Sequence, residues 1–239
     1  MPNEFVAFID WNGTLLADTA ISARMASHFI QQLGGRPLNI GEFRRFFDVP
    51  FTRLYEQAGC DMERFKAIPP HSLTQMFGEK YEPIAARART RQGARDLLSW
   101  LHINEVRVVI LSNHDRKSIE RNARRLSLSS MISHISSRDD GEAHDPAHSR
   151  GKGQRAARYL ERQGISPAQA VVIGDTPEEA HIAHELGGDA LSILISGGYS
   201  THRRLGAAKP HHLVHRLDSI RPILAQHWKL PMTASPGMA

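Results

Sequence analysis

The sequence predicts an α/β protein: a parallel sheet with helices on both faces, plus an inserted all-α segment. Two observations predict the sheet. Short runs rich in Val and Ile alternate with segments whose apolar residues recur every three or four positions. The runs are almost wholly apolar, as strands buried on both faces must be. A third observation predicts the insertion, because residues 18–89 contain no convincing strand.

FVAFI at 5–9 is the first strand. ISARMASHFIQQL then places Ile21, Met25, Phe29 and Leu33 on one helical stripe and stops at Gly34-Gly35. Asn39 with Glu42 reads as a capping pair that opens the next helix. PFTRLYEQAG, DMERFKAI and HSLTQMFGEKYEPIAARA continue the helical bundle, with Phe43, Phe46 and Phe47 as its small core. RQGARDLLSWLH precedes the strand VRVVIL (106–111), and RKSIERNARRLSL precedes ISHIS (132–136). GQRAARYLERQG, AVVI (170–173), PEEAHIAHELGG, ALSILI (190–195) and HLVH (212–215) complete the alternation. The expected division is a core of 1–17 and 90–228, a helical cap at 18–89, and a frayed tail at 229–239.

Composition excludes more than it selects. Apolar residues are 41% and charged residues 23%, those of an ordinary globular chain. No apolar run reaches the length of a membrane span, and the first residues lack the basic-then-apolar layout of a signal peptide. The single cysteine, Cys60, forms no internal disulfide and fits a reducing cytoplasm, the expected location. The net charge of +5 is spread over several helices without an aromatic-interleaved basic segment, so neither nucleic acid nor membrane is an expected partner.

Ligands of open parallel sheets bind beyond the carboxyl ends of the strands. Three strands deliver polar residues there: Asp10 after FVAFI, Ser112-Asn113 after VVIL, and Gly174-Asp175-Thr176 after AVVI. Lys152 lies near the start of a following helix. Two carboxylates, a hydroxyl and an ammonium at one edge suit Mg²⁺ and a phosphate. An aspartate held against phosphorus can act as nucleophile.

These motifs resemble those of the haloacid dehalogenase superfamily, in the phosphoglycolate phosphatase-like branch with a helical cap after the first motif. DWNGTLLAD, LSN, Lys152 and GDTPEEAHIAHELGG match the four motifs in order, and the resemblance spans nearly the whole chain. It implies a Rossmann-like core and a Mg²⁺-dependent phosphatase that cleaves a small phosphorylated metabolite through an aspartyl phosphate. It further implies Asp10 as nucleophile and metal ligand, the Asn12 carbonyl and Asp175 as further ligands, and Glu179 near the metal. Thr14, Ser112, Asn113 and Lys152 fall at the phosphate, Thr14 by orienting the first loop and Lys152 by steadying both phosphate and nucleophile.

The chain departs from the pattern at Asn12, where the family places an acid/base aspartate; asparagine can neither protonate a leaving group nor activate water. Glu179 stands in place of an aspartate, and Arg150 fits the third motif's spacing almost as well as Lys152. Asn12 therefore leaves open a phospho-ligand-binding protein of low turnover. Trp11 and Asn12 also resemble the first motif of phosphonoacetaldehyde hydrolases, whose imine-forming lysine would have to be Lys66 or Lys80. Histidines 144, 148, 181 and 184 are expected on solvated loop and helix faces. The turn at 48–50 is expected near the substrate, with Arg44, Arg45 or Arg53 available to an anion.

Overall fold

The computed structural model describes residues 4–140, 151–187 and 189–232. His144, His148, Arg150 and the tail from 233 onward lie outside the described residues. Six strands, β1 (Val6–Ile9), β2 (Arg107–Leu111), β3 (His134–Ser136), β4 (Ala170–Gly174), β5 (Leu191–Ile195) and β6 (His212–Val214), form one parallel sheet in the order β3-β2-β1-β4-β5-β6. This is the expected α/β, Rossmann-like architecture.

Register sets the site. Ile9 lies beside Ile110 on one side and Ile173 on the other. The chain therefore leaves β1, β2 and β4 at one level and presents Asp10, Ser112 and Asp175 along the same edge. β1 is also where the strand order reverses, the point at which open α/β sheets bind ligands.

Five helices follow β1 in the chain: α1 (Thr19–Gln32), α2 (Ile40–Phe46), α3 (Thr52–Gln57), α4 (Met62–Ala67) and α5 (Pro70–Ala85). Asn39 and Glu42 form the expected reciprocal capping box, with Asn39 Oδ1 accepting from Glu42 N at 2.9 Å. Phe29 and Ile30 of α1, Phe43 of α2, Leu54 of α3 and Phe65 of α4 share one apolar cluster. Tyr199, from the loop after β5, joins that cluster, with its ring 5.4 Å from Phe43 and 4.8 Å from Phe47. The aromatic contact ties the inserted helices to the sheet.

The remaining helices are α6 (Ala94–Ile103), α7 (Arg116–Arg125), α8 (Lys152–Gln163), α9 (Pro177–Leu186), α10 (His202–Ala207) and α11 (Ile220–Trp228). Alternate strand residues divide between the two faces. Ile9, Ile110, Ile173 and Ile193 pack with α6, α7 and α11, while Phe8, Val109 and Val172 pack with α8 and α9. The period of two along doubly buried strands produces this division. Helices α10 and α11 are absent from the sequence reading; Pro222 looks like a break but sits in the first turn of α11, where its missing N–H has no intrahelical acceptor to lose.

Leu101 is fully buried between α6 and the sheet, whereas Ile103 on the same helix is 48% exposed. Leu101→Ala should cost about 2–5 kcal/mol in urea unfolding. Ile103→Ala should fall within about 0.5 kcal/mol of the parent.

Candidate active site

Lys152, in the first turn of α8, reaches back across the sheet edge. Its Nζ lies 2.7 Å from Asp10 Oδ1, 2.8 Å from Glu179 Oε1 and 3.5 Å from Glu178 Oε2. All four residues are buried, Lys152 at 4% exposure. Desolvation works against the ammonium, but the three carboxylates together outweigh it and hold Lys152 well above its ordinary pKa. Glu178 lies in the first turn of α9, and its burial beside Lys152 makes it part of the charge cluster.

The cluster carries excess negative charge. Burial pushes Asp10 well above the usual carboxylate range; Lys152 opposes that shift, and Glu179 and Asp175 add to it. Asp175 rises to about 6, chiefly through burial and the charge of Glu179, against hydrogen bonds from Thr14 and Tyr199. Two buried carboxyls that resist ionisation, among further acids and one ammonium, are a donor set suited to a hard divalent cation.

Backbone close approach shapes the Asp175 pocket. Its Oδ1 accepts from Thr14 Oγ1 at 2.6 Å and its Oδ2 from the Tyr199 amide at 2.5 Å. A Cβ on Gly198 would lie 2.0 Å from Asp175 Oδ2, so only glycine fits there. A Cβ on Gly13 would lie 2.5 Å from the same oxygen, and Gly13 has φ +77°, the left-handed region. Arg91 braces this loop from outside, donating to Gly13 O and Ser196 O, each at 2.7 Å.

The side chains of Asn12 and Thr14 point to different tasks. The Thr14 hydroxyl is fully buried and engaged with Asp175. Asn12 Nδ2 donates to Asp18 Oδ2 at 2.8 Å and to Tyr81 OH at 2.9 Å. Asp18 is fully buried and also accepts from Gly13 N at 2.7 Å, Tyr81 OH at 2.5 Å and Tyr199 OH at 2.8 Å. It joins the first loop, α5 and the loop after β5 in one network. Sequence reasoning missed Asp18, Tyr81 and Tyr199. Asp18 directly precedes α1 in the pattern of an N-cap, and nothing local distinguishes it from one.

Ser112 is buried, and its Oγ accepts from the His114 amide at 3.1 Å. Arg155 holds that loop, donating to Ser112 O at 2.8 Å and Asn113 Oδ1 at 3.2 Å. Asp10, Asn12, Ser112, Asn113 and Lys152 line one cavity; Thr14, Asp175 and Glu179 stand behind its wall. His114 also lines it, and its Nε2 donates to Glu82 Oε1 of α5, 3.0 Å away. Glu82, His114 and Asp115 offer ligand atoms within 4.8 Å of one another, but Glu82 is already paired with Arg121 and Ser118. That ion pair is a second clasp, between α5 of the insertion and α7 of the core.

The expectation for the inserted arginines is corrected. Arg44 donates to the carbonyls of Gly198 and Gly197, both at 2.9 Å, and Arg53 lies 3.4 Å from Asp48. Neither they nor Arg45 line the cavity, whereas Val49 of the 48–50 turn does. Among the described residues no helix is long and apolar enough to cross a membrane.

The model of the haloacid dehalogenase-like hydrolases matches residues 6–187, and the chain belongs to that family of hydrolases. A phosphoglycolate phosphatase of Synechococcus elongatus is 27% identical over 205 residues, which cover 86% of this chain and 90% of that protein. The fold is similar to that of a predicted phosphatase from Clostridium acetobutylicum, with a TM-score of 0.74, 14% identity and coverage of 93% and 99% of the two chains. It is also similar to a hydrolase of the same family from Deinococcus radiodurans, with a TM-score of 0.68, 17% identity and coverage of 95% and 98%. The latter was crystallised with bound phosphate and sodium.

Asn12→Asp replaces a donor facing Asp18 with an acceptor and sets two carboxylates at close range. The variant should unfold at lower temperature than the parent at pH 7.5, by the equivalent of about 1–3 kcal/mol. An unchanged melting temperature would show that Asn12 does not hold the network together.

Proposed function

We propose that this hydrolase is a phosphatase, acting on a small phosphorylated metabolite through an aspartyl phosphate on Asp10. The observation that carries the reading is the Asp10–Lys152 pair, 2.7 Å apart and buried at the floor of a cavity on the sheet's carboxyl edge. The likeness to a phosphoglycolate phosphatase supports the reaction class.

Asp10, the Asn12 carbonyl, Asp175 and Glu179 would hold Mg²⁺. Bound there, the ion would supply positive charge that favours the ionised forms of Asp10 and Asp175 and attracts a phosphate. Ser112, Asn113 and Lys152 bind the phosphate oxygens, and Lys152 keeps Asp10 aimed at phosphorus. Asp10 attacks in line, the ester oxygen departs with the bonding electrons, and water then cleaves the acyl phosphate to return the carboxylate. Asn12 gives no proton to the departing oxygen, so the rate depends strongly on the leaving group. A low-turnover binding protein is the limiting case, favoured by the engagement of the Asn12 amide with Asp18 and Tyr81. Phosphonoacetaldehyde hydrolysis lacks support: Trp11 is buried in the core, and the exposed Lys66 and Lys80 do not line the cavity.

Release of inorganic phosphate from a panel of phosphomonoesters, with and without Mg²⁺, tests the function. Turnover should require the ion and should fall by at least about 10³-fold in Asp10→Asn. A variant retaining most of its activity would rule out Asp10 as the nucleophile.

The upward shift of Asp175 gives a pH signature. Between the ordinary carboxylate value of 3.8 and about 6, the metal-free folded protein holds a proton that the unfolded chain has released. Raising the pH through that window therefore lowers the stability of the metal-free protein. Mg²⁺ must compete with the same proton, so it should raise the melting temperature more at pH 7.5 than at pH 5. Equal increments at the two pH values would contradict the assigned ligands.

A further inference from the structure

The cavity that begins at Asp10 does not end at the phosphate site. It continues between the inserted helices, where Phe43, Phe47, Val49, Phe51, Leu54 and Phe77 line it. The whole cavity, phosphate end included, has a volume of about 160 Å³. Three of the polar side chains on this part of the wall are engaged with one another or with Asp18. The Tyr81 and Tyr199 hydroxyls donate to Asp18, and Ser22 Oγ contacts both Asp18 and Tyr199 OH.

No cation from the inserted helices lines the cavity among the described residues. The one guanidinium on the wall is Arg138, which comes from the loop after β3 and lies 3.7 Å from Asp139. A substrate carrying a second anionic group would have to bury that charge against aromatic carbon, a heavy cost without a partner. An uncharged ring would instead gain aromatic contacts and release water.

Resting on the phosphatase reading, we propose that the substrate is an aryl phosphomonoester, with an uncharged aromatic group seated between α2, α3 and α5. The chemistry at position 12 points the same way. In the first step the Asp10 oxygen forms a bond to phosphorus and the P–O(aryl) bond breaks. The phenolate departs with the electron pair and takes its proton from water. A phenolate is stabilised by its ring and leaves without the general acid that Asn12 cannot be. In the second step water attacks the acyl phosphate, giving inorganic phosphate and the Asp10 carboxylate, and the released proton goes to solvent. The ring pocket and Asn12 thus select one class of ester from two independent sides.

Gly78 allows a direct test. It lies in α5 on the cavity wall, and a Cβ placed there meets nothing within 4 Å. Gly78→Phe removes a glycine from a helix interior and projects a ring into open space, so the fold should survive. The probes are 1-naphthyl phosphate, phosphoglycolate and acetyl phosphate, the last having a good leaving group and no ring. In the full-length parent with Mg²⁺, kcat/KM for 1-naphthyl phosphate should exceed that for phosphoglycolate by at least about tenfold. Gly78→Phe should lower the ratio of kcat/KM for naphthyl to acetyl phosphate by at least about tenfold, with a melting temperature no lower than the parent's. Phosphoglycolate turned over as well as the naphthyl ester, or an unmoved ratio in Gly78→Phe, would overturn the aryl assignment while leaving the phosphatase standing. Failure of all three compounds to release inorganic phosphate would overturn both.

Discussion

The site is organised by one buried ammonium among carboxylates. Lys152 cannot be left in the interior without partners, and Asp10, Glu178 and Glu179 cannot be crowded together without a cation. Each therefore fixes the others. The constraint reaches through three parts of the fold: the end of β1, the first turn of α8 and the first turn of α9. Glu179 is doubly bound, since its second oxygen accepts from Thr176 N and Oγ1 to cap α9. The helix cap and the charge cluster are one structure, so the register of β1 against β4 fixes how α9 meets Asp10.

Asp18 does for the inserted helices what Lys152 does for the core. A buried carboxylate needs donors, and it finds them on the first loop, on α5 and on the loop after β5. Asn12 is a fitting residue beside it, because an amide donates where a second carboxylate would repel. The asparagine that removes a general acid is thus also the residue that lets the first loop pack against Asp18. Tyr199 links both systems, donating its amide to Asp175 and its hydroxyl to Asp18.

Much of this was legible in the sequence for definite reasons. Doubly buried strands announce themselves as Val- and Ile-rich runs, as β1, β2, β4 and β5 do, and the two shorter edge strands β3 and β6 are also present where expected. Residues that end such strands must sit at the ligand edge, which placed Asp10, Ser112 and Asp175. A helix start put Lys152 near that edge, with Arg150 two residues earlier fitting the same spacing almost as well. The missed residues share a different logic. Asp18, Tyr81 and Tyr199 meet only after the inserted helices fold back on the core, across 63 residues for Asp18 to Tyr81 and 181 for Asp18 to Tyr199. No local pattern encodes that meeting. Arg44 shows the converse error: a cation near the expected substrate turn reads as an anion binder, but its donors are taken by the carbonyls of Gly197 and Gly198.

The central claim is that Asp10 becomes covalently phosphorylated during turnover. Rapid acid quench of the Mg²⁺-loaded protein during hydrolysis of an aryl phosphate, followed by peptide mass spectrometry, measures this directly. With no general base at position 12, breakdown of the intermediate is slow, and it should accumulate. The account predicts one added phosphoryl group, confined to the peptide containing Asp10 and absent from Asp10→Asn. Steady turnover with no phosphoryl group on that peptide, or with the group on another residue, would contradict it.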